Sequence, residues 1–528
     1  APPSVTPVVS PVAPSADAGA PTEAFGPYRP PARGATGGLT PRQEQGVQAF
    51  VDRYTRRTAG SKRSTAANRP HLADPRTAAG FRPMWKEIVY PIVTVRSSGA
   101  RVWDVDGNEY VDLTNGFGAI MFGHNPGFVR DAVRAQLDEG IEIGPQSPLA
   151  GEVAARVSEM VRMDRVAFCN TGSEAVTAAI RLARTVSGRD RIAMFAGAYH
   201  GIFDEVLVRP AGGRAMPIAP GIPPSMLDNV VVLEYGSDDA LEYLRAHSQE
   251  LAAVLVEPVQ SRRPELQPRE FLHELRRLTE TSGTALVFDE IVTGFRTHPG
   301  GAQAIFGVRA DMATYGKVVG GGLPIGLITG RREYIDALDG GAWDYGDDSV
   351  PEVGVTFFAG TFVRHPLALA AARAVLGHLE EKGPDLQRGL NLRTTEFASR
   401  LDAHARSVGA PVRITHFSSW VYLTFPSDVP TAGLFFAMMR DRGVHIWEGR
   451  CLFLTTAHTD ADLELVFQAF RDSIAELQAA DLLPGADEPP VPGARRGHDP
   501  DGREAWFVPD LARPGEYLRV EEAAGAHG

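Results

Sequence analysis

The chain is almost without cysteine: Cys169 and Cys451 are the only two in 528 residues. A disulfide framework is excluded, and a reducing compartment, the cytoplasm, is the expected location. No apolar run approaches the ~20 residues that span a bilayer. The N-terminus has no basic n-region and no leucine-rich h-region, so it does not read as a secretory signal. Positive charge is also short, with a formal net charge of −12. That argues against nucleic acid as the main partner and supplies no basic patch for a membrane. No repeat occurs at solenoid periods. The chain starts at Ala1 rather than Met, which leaves an excised domain or a processed or tagged chain open.

What is present is enough sequence for two or three folding units and a large core. Residues 1–38 are rich in Pro, Ala and Gly and read as a linker. Residues 39–115 read as an N-terminal segment. Thr40 as cap and Pro41 at the first position open a helix with Val47, Phe50, Val51 and Tyr54 on one face. Asp106-Gly107 then sits at the centre of an alternating Arg101–Leu113 hairpin. Residues 116–375 form the expected large domain. Apolar runs at Val166–Phe168, Ile192–Phe195, Val230–Leu233, Ala252–Val256, Ala285–Phe288 and Ile325–Thr329 alternate with helical stretches. This predicts an α/β fold with a mostly parallel sheet wrapped by helices. Residues 376–482 predict a smaller α+β domain, and 483–528 a Pro/Gly-rich surface extension.

Chemistry concentrates where the apolar runs end. Ala285–Phe288 delivers Asp289, and Asp311–Tyr315 delivers Lys317 ahead of Gly320, Gly321 and Gly322. Such an amine suits a Schiff base with an aldehyde cofactor, and such an acid suits its ring nitrogen. Each is also compatible with an ordinary loop end. Thr171, Gly172 and Ser173 form a small-residue turn before a helix, either a plain cap or a phosphate site. Tyr199, in GAYHG, is either a buried core ring or one lying flat on a planar ligand, with His200 beside it. Glu257 leaves a fully apolar run and needs a partner or a role. Gly360-Thr361 offers a hydroxyl and an amide ahead of a helix near Pro366.

In order and spacing, NTGSEA, GAYHG, DEIVTGFR, YGKVVGGGLPIG and GTFVRHP resemble the class III aminotransferases of the pyridoxal-phosphate fold type I superfamily, over roughly Tyr90 to Leu477. The resemblance implies a seven-stranded sheet domain and pyridoxal 5′-phosphate as cofactor. It makes Lys317 the Schiff-base lysine that also moves the substrate proton, and Asp289 the partner of the pyridine nitrogen. Tyr199 stacks on the ring, and Gly172 and Ser173 bind the phosphate. Thr361 reaches the neighbouring subunit's cofactor, which implies a homodimer. Thr171, His200, Glu257 and Val292 complete the implied cofactor shell.

Val292 stands where many ω-aminotransferases carry Gln, and places the chain nearer the glutamate-1-semialdehyde aminomutase branch. Arg262 stands at the position of their acidic gate, with Arg263 next to it. Glu448 matches a glutamate of the aminomutase branch. The flanks RTAGSKR, RSSGARVWDVDGNEYVDL, EPVQSRRPELQPREF and GHDPDGREAWFVPD look like those of aminotransferase domains in hybrid polyketide/nonribosomal-peptide synthases. This implies an amino-acid donor and a β-keto acyl thioester on the phosphopantetheine arm of an acyl carrier protein. Arg262 and Arg263 are then a solvated surface pair or contacts to the tethered phosphate. The alternative is a free-standing enzyme of the aminomutase branch acting on small soluble substrates. Arg296, Arg364 and Arg450 are open candidates for the donor carboxylate.

Overall fold

A computed structural model describes residues 38–75, 81–211, 214–485, 491, 493–499, 504–510 and 516–520. The expected linker, apart from Gly38, lies outside the described residues, as do parts of the C-terminal extension. The first helix, α1 (Pro41–Arg57), starts with a full capping box between Thr40 and Gln43. Its apolar stripe Val47, Phe50, Val51 and Tyr54 is buried, so the amphipathic spacing is used for packing. Strands β1 (Thr94–Ser98), β2 (Arg101–Asp104) and β3 (Glu109–Asp112) form an antiparallel meander. The turn between β2 and β3 uses Gly107 at φ 81°, a region that favours glycine.

The central sheet has seven strands: β4 (Arg165–Cys169), β5 (Arg191–Phe195), β6 (Val230–Leu233), β7 (Leu251–Val256), β8 (Ala285–Asp289), β9 (Met312–Gly316) and β10 (Gly326–Gly330). Their spatial order is β4-β10-β9-β8-β7-β5-β6. All neighbours pair in parallel except β10, which runs antiparallel to both β9 and β4. Strands β7 to β10 are buried along their whole length, which explains their unbroken apolar character. Helices α2 (Gly172–Ser187) and α3 (Arg269–Ser282) belong to the crossovers. Reversal at β10 brings its first residue back to the edge where β9 ends: Gly326 pairs with Gly316 on one side and Cys169 on the other.

Helix α4 (Pro366–Lys382) leads into α5 (Asp385–Ser407), and then to β11 (Arg413–Phe417) and β12 (Trp420–Thr424). Strand β13 (Val444–His445) returns to pair with β3, joining the N-terminal meander to the C-terminal part of the chain. Strand β14 (Leu452–Phe453) pairs with β12, and α6 (Asp460–Ala479) packs behind them. The C-terminal extension was expected as plain surface chain. Among its described residues are three strands, Arg495–His498, Glu504–Pro509 and Tyr517–Arg519, in an antiparallel sheet. Among the described residues no helix is long and apolar enough to cross a membrane.

Candidate active site

The carboxyl ends of β4 to β9 lie at one edge of the sheet, and the candidate residues follow β4, β5, β7, β8 and β9. In an open parallel sheet this is where ligands bind. Strand β8 ends at Asp289, which pairs in register with Thr314 of β9, so Lys317 emerges beside it. Lys317 takes a left-handed backbone, φ 46°, a strain that surrounding structure must hold in place.

Asp289 is held on both oxygens. Oδ1 accepts from the Ile291 N–H at 3.1 Å and the Thr314 hydroxyl at 3.4 Å. Oδ2 lies 2.8 Å from Nδ1 of buried His200, and that pairing assigns the proton to Nδ1. His200 Nε2 is buried with no protein partner. Glu257 is buried at the end of β7 and accepts from the Tyr199 N–H at 3.2 Å and the Ser261 N–H at 2.9 Å. Burial, with repulsion from Asp289, pushes its carboxyl up to about 7. Burial pushes the Lys317 ammonium below its ordinary value. Asp289 and Glu257 oppose that shift, and the Arg296 charge adds to it. The arrangement therefore favours an amine that sheds its proton readily, which is what nucleophilic use requires.

The turn after β4 divides its labour. Thr171 is the cap of α2: its hydroxyl accepts from the Glu174 N–H at 3.2 Å, while its own N–H donates to Glu174. Thr171 therefore caps the helix. Gly172 and Ser173 follow, and first-turn N–H groups have no intrahelical partner. The Ser173 hydroxyl accepts from the Ile202 N–H at 3.3 Å and ties the GAYHG loop over the turn. Two glycines permit this closeness. A Cβ on Gly172 would lie 2.8 Å from Ile291 Cδ1, and one on Gly201 (φ 114°) 2.5 Å from Ser173 Oγ.

Tyr199 is 51% exposed, so it is not the buried core ring that one sequence reading allows. An open aromatic face, a desolvated amine, a tethered carboxylate, an unpartnered imidazole nitrogen and a helix start together fit a planar, phosphorylated pyridine aldehyde.

The remaining candidates are more scattered. Val292 packs on the main core from the turn after Glu290. Thr361 is exposed. Arg263 pairs with Glu234 at 3.1 Å, with both partners solvated. Arg262 is exposed and acts electrostatically on Tyr422 and Cys451. Exposed Glu448 has Arg82 Nη2 3.9 Å away. Among the open arginines, Arg364 is exposed and donates to Gln146 at 2.7 Å, and Arg450 is exposed. Arg296 is fully buried, with both terminal nitrogens already donating to protein acceptors, so it is not free to hold a donor carboxylate.

Two features escaped sequence reading. The first is the His200–Asp289 pair, whose members lie far apart in the chain. The second is Cys451, a buried thiol that donates to the Ser261 carbonyl at 3.0 Å and is pushed up to about 12 by burial. It interacts electrostatically with both Lys317 and Glu257. No local pattern announces either.

A family model described as aminotransferase class-III matches residues 84–459. The glutamate-1-semialdehyde 2,1-aminomutase of Aquifex aeolicus (strain VF5) is 36% identical over 408 residues, spanning 73% of this chain and 93% of that relative. A β-phenylalanine aminotransferase from Variovorax paradoxus matches in structure with a TM-score of 0.71 at 26% identity, covering 84% of this chain and 100% of that one. A variant glutamate-1-semialdehyde-aminomutase from Pseudomonas aeruginosa PAO1, in complex with PMP, matches with a TM-score of 0.72 at 25% identity, covering 83% and 98%.

Proposed function

The chain belongs to the class-III aminotransferase family, and on that premise we propose that Lys317 and Asp289 carry amine transfer on a small amino-aldehyde or keto substrate. Pyridoxal phosphate is the cofactor. When bound, it supplies an aldehyde that an amine can join and a ring that accepts the electron pair released at the adjacent carbon.

The residues divide the remaining work. Asp289, oriented by His200, holds the proton on the pyridine nitrogen. Tyr199 supports the ring face, and the N–H groups of Gly172 and Ser173 hold the phosphate. The Lys317 amine, its pKa lowered by burial, would take the proton from the substrate carbon and pass it to the cofactor carbon on the other side of the shared nitrogen. Thr361 reaches the phosphate site of a second copy, so the working unit is a homodimer. The single observation that carries this reading is the adjacency of Asp289 and Lys317 on paired strand ends, with Glu257 and His200 closing the set.

The relatives support the glutamate-1-semialdehyde branch as the substrate class, since the Aquifex protein at 36% identity bears that name. Transfer would then remain within one molecule, with no separate donor. A second reading, transfer from an amino-acid donor to a carrier-tethered β-keto acyl thioester, rests on a different observation. Exposed Arg262 replaces the acidic gate that would release a carboxylate-binding arginine for a second acidic substrate, and Arg296 is consumed by the fold.

Borohydride reduction of the holoenzyme should fix the cofactor on Lys317. Lys317→Ala should lose the visible cofactor band and at least ~10³-fold of turnover. Retention of both would end the assignment. Turnover of free glutamate 1-semialdehyde against acyl-carrier thioesters supplied with donors decides between the two substrates.

A further inference from the structure

A cavity of about 450 Å³ lies between helix Ala59–Asn68, the start of β1 and the turn after β3. None of Lys317, Asp289 and Tyr199 lines it. Its volume falls within the roughly 300–1,000 Å³ of small-molecule pockets. Ser64, Thr65 and Arg69 line it on the helix side, while Ile92, Phe117 and Trp447 supply apolar surface. The helix precedes residue 84, where the family match begins, so this wall lies outside the matched region.

The turn that carries Phe117 is strained. Asn115, Gly116 and Phe117 are three consecutive residues in the left-handed region, with φ 45°, 60° and 56°. Such a run persists only where its surroundings over-determine it, and it is typical of ligand clamps. Here Asn115 Nδ2 donates to the carbonyls of Asp112 at 2.7 Å and Phe453 at 2.8 Å. The result is an aromatic ring 41% exposed at the cavity, edge-on to Trp447 with centroids 6.2 Å apart. The same turn reaches the lysine loop at its other end. A Cβ on Gly322 would lie 3.3 Å from Ile120 Cδ1. Arg296 Nη2 donates to the carbonyls of Gly118 at 2.8 Å and Ile120 at 3.2 Å, tying the turn to the segment after Asp289. The cavity and the Lys317 loop therefore border one short turn.

The lining chemistry selects an occupant. Two rings and Ile92 suit apolar stretches, and the hydroxyls of Ser64 and Thr65 both donate and accept, which suits amides. The lining acids do not call for a cation. Asp112 is held between His124 Nε2 at 2.8 Å and His445 Nδ1 at 3.0 Å, and Asp74 is itself partnered. Arg69 is exposed and suits a terminal anion. An extended chain of amides and short apolar segments, uncharged along its length and ending in a phosphate, meets all of these demands.

We propose that this cavity binds a phosphopantetheine arm, with its amides along helix Ala59–Asn68, its apolar segments against Phe117 and Trp447, and its phosphate at Arg69. This rests on the carrier-tethered reading of the substrate, in which such an arm brings the keto acyl group over the strained turn to Lys317.

Two measurements separate the cavity from that reading. Free 4′-phosphopantetheine is titrated into the holoenzyme by calorimetry. Wild type should bind it saturably. Thr65→Trp, which fills the cavity, should weaken binding roughly tenfold or more. Arg69→Glu, on the exposed side, should weaken it roughly fivefold. No saturable binding by wild type, or binding that both variants leave as it was, overturns the proposal. If Thr65→Trp does not fold, unchanged binding by Arg69→Glu overturns it alone. Turnover is then compared between a pantetheine thioester and an N-acetylcysteamine thioester of the same acyl group. Thr65→Trp should raise KM for the first by roughly tenfold more than for the second, with little change in kcat. Thioesters that both react, with a KM ratio that Thr65→Trp does not move, overturn the cavity and leave the carrier reading standing. Phosphopantetheine binding that the variants weaken, in an enzyme that turns over only free glutamate 1-semialdehyde, upholds the cavity and fails the carrier reading instead.

Discussion

Asp289 shows how much of one residue is local and how much is not. That an acid emerges from an apolar strand end is visible in ALVFDE. That its Oδ2 is held by His200 is not, because the imidazole arrives from the end of β5, across β7. A hydrogen bond to an ionised group is worth roughly 1.5–3 kcal/mol. His200→Phe keeps a ring in place but frees that oxygen, so kcat should fall by about 10- to 100-fold with cofactor still bound. Steady-state rates on cofactor-saturated enzyme check this, and an unchanged kcat would remove His200 from the site. Asp289→Asn should cost more, on the order of 10²-fold or greater, because the amide no longer stabilises a ring proton. Spelling alone assigned several possible roles to the arginines. Only burial showed that Arg296 is consumed by the fold, while Arg263 is a solvated ion pair.

The turn after β8 and the strand β10 carry the corresponding lessons for elements. Glu290 is 0% exposed and accepts from the Thr293 hydroxyl at 2.5 Å and from the Ala302 and Gln303 N–H groups at 2.8 and 2.9 Å, which pins the loop that leads to Arg296. Burial raises its carboxyl from 4.5 to about 7. Between those values the folded chain keeps a proton that the unfolded chain has released. This contribution is therefore full below the unfolded value and is lost as pH rises toward the folded one. One such group changes stability by at most ~1.4 kcal/mol per pH unit. Glu290→Gln should flatten the wild-type loss between about pH 5 and pH 7, read from urea midpoints of the apoprotein, and parallel slopes would refute the assignment. At Gly326 the constraint is steric: a Cβ would lie 2.2 Å from the Thr171 carbonyl oxygen. Backbone cannot step aside as a side chain does. Gly326→Ala should therefore destabilise by ~2–3 kcal/mol and loosen phosphate binding, measured by denaturation and cofactor titration. The strands themselves were legible as apolar runs. The antiparallel sense of β10 was not, since a buried strand reads the same in either direction.

For the molecule as a whole, the segment between β10 and α4 leaves large apolar side chains in solvent. Tyr345 is 92% exposed and Phe357 78%, with Trp343, Val355 and Phe362 also open and Thr361 among them. Exposed apolar side chains of this size suit an interaction surface, and the proposed homodimer, with Thr361 at the partner site, is the occupant to test. Phe357→Asp should shift the protein from dimer to monomer in light scattering and lower activity with it. A fully active monomer would contradict the shared site.

The class of the fold and the identity of the cofactor followed from the sequence. Apolar runs of strand length, a capped helix at Pro41 and acid and amine at strand ends depend on neighbours a few residues apart, and such signals survive in one dimension. Tertiary structure decided what depends on meeting: β10 reversing between β4 and β9, Thr171 capping α2, His200 reaching Asp289, and Arg296 buried without an anion. The reason is physical. Hydrogen bonds, desolvation and charge interactions act over a few ångströms in space, and the partners that set them at Lys317 come from the ends of two different strands, from the turn after β8 and from the C-terminal part of the chain.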